Sequence, residues 1–152
     1  MTYRIIIFLV LNFLALAIGG AFTGDGVPSD WYIHLSKAPW TPPGWVFGAA
    51  WTTIMVAFSV YMTYLWGATD NKRFLIGIYA LQWVLNVGWN PTFFHFHYTL
   101  AALLLIAGLT LLITFFLFSY WSLLQNKSLL ILPYFVWLLI ATSLNAYICL
   151  YN

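Results

Sequence analysis

The residues best suited to bind a ligand in this chain are side-chain amides and tryptophans. Gln82, Asn86 and Asn90 recur at every fourth residue. On a helix they would form one stripe, with roughly 6 Å between neighbours at a rise of 1.5 Å per residue. The stripe predicts either hydrogen bonds between helices, worth about 0.6 kcal/mol each in membranes, or the polar wall of a ligand pocket. The residue spacing leaves both interpretations open.

Seven of the chain's nine tryptophans fall into two groups by position. Trp45, Trp66 and Trp121 lie at the ends of apolar segments, as expected of a belt at the membrane surface. A second group lies inside apolar segments, where a belt does not explain it: Trp51, Trp83, Trp89 and Trp137. These four are candidates for the walls of an aromatic cavity.

Conventional catalytic groupings are not apparent. The three acidic residues are all Asp and lie in segments predicted to be loops, and no lysine lies within an apolar segment. No Ser, His and Asp grouping is spaced for nucleophilic catalysis. His95 and His97 diverge on helical geometry, which favours a capping or interfacial role over a metal site. Hydrolase, proton-pump and metal-centre functions are therefore disfavoured, and no obligatory cofactor is expected.

The composition indicates a membrane protein. Of 152 residues, 64% are hydrophobic, 21% aromatic and 5% charged, far from the averages of soluble domains. The net charge of +2 is spread without a basic stripe, so nucleic acid is not an expected partner. The lipid bilayer is an expected partner.

Five apolar windows predict an all-α fold, an integral membrane bundle of five transmembrane helices in one domain spanning 1–152. The windows are 5–22, 44–66, 74–96, 98–121 and 129–151, and short connectors make successive helices antiparallel. The first window has a second interpretation as a cleaved signal peptide. Arg4, Lys72, Arg73 and Lys127 fall on one side and Lys37 on the other. This predicts an inner N-terminus and an outer C-terminus.

The one long connector, 23–43, is a predicted lid over the outer end. It finishes in "WTPPGW", where Pro42 and Pro43 fix the backbone just before the second window. Helical rise places Trp51, Asn86 and Ala141 at a common depth, roughly 10–12 Å from the outer face. Trp137, Ala141 and Asn145 share a helix face. A flat aromatic cavity beneath the lid, suited to a planar apolar ligand, follows from this convergence.

Three stretches are similar to the signatures of the TspO/MBR family, the tryptophan-rich sensory proteins and translocator proteins (peripheral benzodiazepine receptors). They are "WYIHLSKAPWTPPGWVFGAAW", "LNVGWNPTFF" and "PYFVWLLIATSLN". The resemblance implies a five-helix receptor that binds porphyrins, protoporphyrin IX or haem. It also implies a role in tetrapyrrole sensing, transport or removal. The ligand-binding residues implied are Tyr32, Trp51, Asn86, Trp89, Trp137, Ala141 and Leu144, and Met55 stands where some relatives have an aromatic residue.

The resemblance leaves three functions open: a porphyrin-binding protein, a light-dependent porphyrin-degrading enzyme, and a structural or adaptor subunit. In the second, Trp51 and Trp137 would be catalytic by donating an electron to a photoexcited ring. The chain after Leu144 and Tyr147 lacks the basic residue of a cholesterol-recognition pattern, so tight sterol binding is not expected. A homodimer is implied, and "GWVFG" at 44–48 offers a small-residue packing face.

Overall fold

The computed structural model describes residues 2–152, and every regular element in that range is helical. The elements are α1 (Thr2–Gly26), α2 (Asp30–His34), α3 (Gly44–Ala68), α4 (Lys72–Asn90) continued by a π-helical turn (Pro91–His95), α5 (Thr99–Ser119), α6 (Trp121–Leu124), a 3₁₀ segment (Gln125–Ile131) and α7 (Leu132–Tyr151). Five of them, α1, α3, α4, α5 and α7, are long. They form the all-α bundle that the apolar windows predicted.

The five long helices pack as a closed ring. α1 contacts α3 and α4, α4 contacts α5, α5 contacts α7, and α7 returns to α3. Within residues 2–152, four helical segments are long and apolar enough to cross a membrane: Tyr3–Gly26, Gly44–Ala68, Thr99–Ser119 and Trp121–Tyr151. The protein is therefore a multi-pass integral membrane protein. α4 is the least apolar long helix because it carries Lys72, Arg73 and three side-chain amides, of which Gln82 and Asn86 are buried.

Polar contacts in the bundle centre hold α1 in place. Asn12 is 1% exposed. Its Nδ2 donates to Ser59 Oγ of α3 at 2.8 Å, and Tyr79 of α4 donates to its Oδ1 at 2.8 Å. Because a membrane interior offers no water to these groups, such contacts fix the helix register. This packing favours the first window as a bundle helix over its interpretation as a signal peptide.

The segment predicted as one loop, 23–43, is partly helical. α1 continues to Gly26, so that Asp25 lies in its last turn, and Asp30 begins α2. Both residues therefore lie in helices, which corrects the loop assignment. α2 forms because Ser29 caps it, with its Oγ accepting from the Tyr32 N–H at 3.3 Å. Pro43 is extended, at φ −56° and ψ 148°, and α3 begins at Gly44, where the second window starts.

Two other helix ends differ from the windows. The third window, 74–96, becomes α4 plus a π-helical turn, because Pro91 has no N–H to donate and the ladder shifts to a longer spacing. The Phe96 N–H accordingly donates to the Pro91 carbonyl at 2.9 Å. The last window starts at 129, whereas α7 starts at Leu132. The 3₁₀ segment before it begins at Gln125, whose φ of 50° interrupts the helix.

Candidate functional site

Aromatic rings from α3 and α7 pack against one another in the main core, the larger of the two clusters of buried apolar side chains. Phe47 and Trp137 pack edge to face with centroids 5.2 Å apart, and Trp51 packs on Tyr134 in the same manner at 6.0 Å. Phe47 and Trp51 are one turn apart on α3, as are Tyr134 and Trp137 on α7. Trp137 is 6% exposed and Trp51 is half-buried. The two tryptophans thus lie on adjacent layers of one helix interface.

Two of the three side-chain amides in the stripe on α4 form hydrogen bonds to other helices. Gln82 Nε2 donates to the Tyr134 hydroxyl of α7 at 2.8 Å. Asn90 Oδ1 accepts from the Thr23 hydroxyl of α1 at 3.0 Å. Asn86 lies between them and is 6% exposed, yet its side-chain amide bonds to no residue in the range 2–152. Hydrogen bonds between helices therefore account for Gln82 Nε2 and Asn90 Oδ1, whereas the Asn86 amide and the enclosed Gln82 Oε1 have no partner within the described residues.

The indole N–H groups of the partly or fully buried tryptophans also differ in whether they have a hydrogen-bond partner. Trp83 Nε1 donates to the Leu11 carbonyl of α1 at 3.0 Å, and Trp89 Nε1 donates to Asn145 Oδ1 of α7 at 3.0 Å. The Trp137 N–H is fully enclosed and has no hydrogen-bond partner in the described part of the chain. Since buried polar groups are normally paired, such an orphan calls for an explanation.

Asn145 fixes the geometry of the outer half of the core. Besides accepting from Trp89, it donates through Nδ2 to the Thr99 carbonyl at the start of α5, at 3.0 Å. One residue therefore connects α4, α5 and α7. On the same helix face, one turn earlier, Ala141 is half-buried and packs against the core that contains Trp137.

The end of the bundle that carries the segment 27–43, which is the predicted outer end, has a second, smaller aromatic cluster. The Tyr32 ring contacts Phe94 at a centroid distance of 5.5 Å, and the Lys37 ammonium lies 4.6 Å from the Tyr32 centroid. Burial raises the pKa of the Tyr32 phenol above its ordinary value, which favours the neutral form further. His97, with φ 57°, stacks on Trp31 at 4.0 Å, so its ring serves a packing contact at the turn before α5.

The segment 27–43 is fastened across the outer end of the bundle. Trp40 Nε1 donates to Ser143 Oγ of α7 at 3.1 Å, and its ring packs on Tyr147 at 5.6 Å. Ser36 and Asn152 exchange two hydrogen bonds, of 2.8 and 3.2 Å. The segment therefore bridges from the Tyr32 cluster to the end of α7, over the region where the predicted site residues lie.

The eight predicted ligand-binding residues fall into three placements. The main core contains or contacts Trp51, Met55, Trp89, Trp137 and Ala141. Trp89 also contacts the outer cluster, which Tyr32 joins, and Asn86 and Leu144 are buried at 6% and 8% exposure. The sequence-based prediction of site residues did not include Tyr134, whose ring contacts Trp51 and whose hydroxyl is bonded to Gln82. Its position one turn before Trp137 on the same helix was the available signal.

A cavity of about 350 Å³ opens between α3 and α7. Trp137 borders it, together with apolar side chains and the Thr53 hydroxyl, which is bonded to the Ala49 carbonyl at 2.9 Å. Its size falls within the usual range for small-molecule sites. Trp137 therefore lies between this opening and the main core.

Comparison with known proteins gives one consistent result. The sequence model of the TspO/MBR family matches residues 7–151. The chain is 32% identical to Protein CrtK of Rhodobacter capsulatus over 136 residues, 88% of this chain and 85% of that one. It is 35% identical to the tryptophan-rich protein TspO of Archaeoglobus fulgidus over 146 residues, 94% of each chain. It is 31% identical to the human translocator protein over 140 residues, 87% of this chain and 80% of that one.

Proposed function

Because the chain belongs to the TspO/MBR family, we propose that it is a membrane-embedded binding protein for porphyrins such as protoporphyrin IX and haem. Its role would be the sensing, transport or removal of tetrapyrroles. The proposed ligand-binding residues are Tyr32, Trp51, Met55, Asn86, Trp89, Trp137, Ala141 and Leu144. The porphyrin is the ligand of this site and not an obligatory cofactor.

The unpaired Asn86 amide carries this proposal. Around it Trp83, Trp89 and Asn90 have protein partners, and Gln82 is paired through Nε2 while its enclosed Oε1 has no partner within residues 2–152. The Asn86 amide is not fully enclosed, so a ligand can reach it, and hydrogen bonds from the ligand would satisfy a group that the described chain leaves unpaired. A porphyrin combines a planar apolar ring for the aromatic walls with carboxylates that can accept hydrogen bonds from the Asn86 amide.

Titration of the purified protein with protoporphyrin IX is the first test, and tryptophan fluorescence should be quenched at micromolar ligand. Asn86→Leu is expected to bind about tenfold more weakly, which corresponds to about 1.4 kcal/mol, because the amide's hydrogen bonds are lost. Asn126→Leu, the same change in the exposed inner loop, is the control and should bind as wild type. Equal affinity of the wild type and Asn86→Leu would contradict the role of the amide.

A second function, light-dependent porphyrin degradation, is favoured by the placement of Trp51 and Trp137 on adjacent layers of the α3–α7 interface. A porphyrin against this interface would lie near both indoles, and electron transfer needs proximity more than an acid or base. Illumination of the porphyrin complex in oxygen should then bleach the ring and yield a new product. Trp51→Phe with Trp137→Phe should slow bleaching strongly, while Trp45→Phe, at an exposed ring, should not.

If neither quenching nor bleaching occurs, and thermal stability is unchanged by every tetrapyrrole and isoquinoline tested, the structural or adaptor function is favoured instead.

The homodimer remains a prediction. Gly44 and Gly48 have no atom of the chain within 4 Å of an added Cβ, so the face they share on α3 is open to a partner helix.

A further inference from the structure

A basic pocket lies at the end of the bundle opposite the aromatic site. It has a volume of about 370 Å³ and is lined by Arg4, Thr63, Tyr64, Gly67, Ala68 and Lys127. Thr63 is twelve residues beyond Trp51 on α3, or roughly 18 Å along the helix axis. The pocket is therefore separate from the proposed porphyrin site.

The two cations of the basic pocket come from opposite ends of the chain and are not neutralised there. No carboxylate lines the pocket. Arg4 Nε donates to the exposed Tyr3 hydroxyl at 3.2 Å, and the Lys127 ammonium lies 4.4 Å from the centroid of the Tyr64 ring. Within residues 2–152 neither side chain forms an ion pair with an acid. Two like charges held at one cavity favour an anionic ligand.

Compensation of the α3 dipole is the alternative role for these cations, since the pocket adjoins the last turn of that helix. Lys72 already serves that purpose, because its ammonium donates to the carbonyls of Trp66 and Thr69. Arg4 Nη1 would lie 3.8 Å from a Cβ on Gly67, so the guanidinium sits over the helix end without bonding to its carbonyls. The charges of Arg4 and Lys127 thus remain available.

The surroundings of the basic pocket favour a lipid over a free anion. Next to Arg4 on α1, Tyr3, Ile6 and Ile7 are 61%, 54% and 52% exposed, which leaves an apolar surface for acyl chains. Basic pockets between transmembrane helices on the cytoplasmic side are typical sites for anionic headgroups, and this end is the predicted inner one. We propose that the basic pocket binds the phosphate headgroup of an anionic phospholipid, with Arg4 and Lys127 as its ligands.

The test uses the full chain purified in neutral detergent, with phosphatidylglycerol, phosphatidylcholine and inorganic phosphate as probes. Bound lipid is counted by native mass spectrometry, and thermal unfolding is followed in parallel. Phosphatidylglycerol should bind more strongly than phosphatidylcholine and raise Tm. Arg4→Gln and Lys127→Gln should each weaken that binding about fivefold, which corresponds to about 1 kcal/mol per basic side chain.

Arg73→Gln is the matched control, because Arg73 is an exposed cation at the same end of the bundle and outside the pocket. It should retain the wild-type affinity for phosphatidylglycerol. The charge-preserving variants Arg4→Lys and Lys127→Arg should retain most of it, which separates lost charge from lost folding. A loss in Arg73→Gln equal to that in Arg4→Gln, or an equal Tm shift with inorganic phosphate, would overturn the proposal. Equal binding of phosphatidylcholine would overturn it too.

Discussion

Gly26→Ala is expected to destabilise the bundle by about 1–3 kcal/mol, the usual cost of overpacking. A Cβ at Gly26 would stand 2.3 Å from Cδ1 and 2.6 Å from Cβ of Phe94. The Phe94 ring has little freedom to move, because Trp89 packs edge to face on it at 5.8 Å and Tyr32 contacts it at 5.5 Å. Unfolding of the purified protein in detergent, followed by circular dichroism, measures the change.

Gly24→Ala on the same helix is the control. An added Cβ at Gly24 would meet no atom within 4 Å, and alanine gains up to about 1 kcal/mol of helix propensity over glycine. This variant is therefore expected to match or exceed the wild type in stability. Since neither glycine has a positive φ, the contrast measures packing and not backbone strain. Equal effects of the two substitutions would disprove close contact between α1 and the π-helical turn.

Asn12→Leu is expected to lower the free energy of unfolding by about 1–3 kcal/mol, the cost of leaving a buried polar group without a partner. Leucine keeps the number and branching of the side-chain heavy atoms, but the buried Tyr79 hydroxyl loses its acceptor. The Ser59 hydroxyl keeps its bond to the Met55 carbonyl at 2.6 Å. The main loss is therefore on α4, and equilibrium unfolding in mixed detergent micelles measures it.

A double-mutant cycle with Tyr79→Phe isolates this interaction. Removing the orphaned hydroxyl from Asn12→Leu should recover part of the stability, so the two single effects should exceed the double effect by about 0.6–1.7 kcal/mol, the range measured for such bonds in membranes. Strictly additive effects would show that Asn12 and Tyr79 do not share a hydrogen bond. Thr114→Val, at an α5 hydroxyl bonded to its own helix, should have a smaller effect.

The helical class followed from the sequence, whereas several boundaries did not. Long apolar runs such as 99–119 have to be helices in lipid because every backbone group needs a partner within its own segment. The polar stretch 23–43 gave no such constraint, and its local caps decided its structure. Ser29 therefore starts a short helix, and α1 continues through Asp25. Composition alone had predicted a loop at both positions.

For the site, residue types and spacing predicted candidates but not their roles. Gln82, Asn86 and Asn90 are equivalent by periodicity. Only the packed bundle shows Tyr134 within 2.8 Å of the first and Thr23 within 3.0 Å of the last. The same holds for the buried indoles of Trp89 and Trp137, one paired with Asn145 and the other orphaned.

By itself, then, the sequence determined a membrane bundle with amides and indoles buried at helix positions, because hydrophobic composition and helical period act along the chain. The tertiary structure decided which of those groups are satisfied by protein. A hydrogen bond requires its two atoms to lie about 3 Å apart, and partners such as Gln82 and Tyr134 are 52 residues apart in the chain. Their meeting depends on how the helices pack against one another.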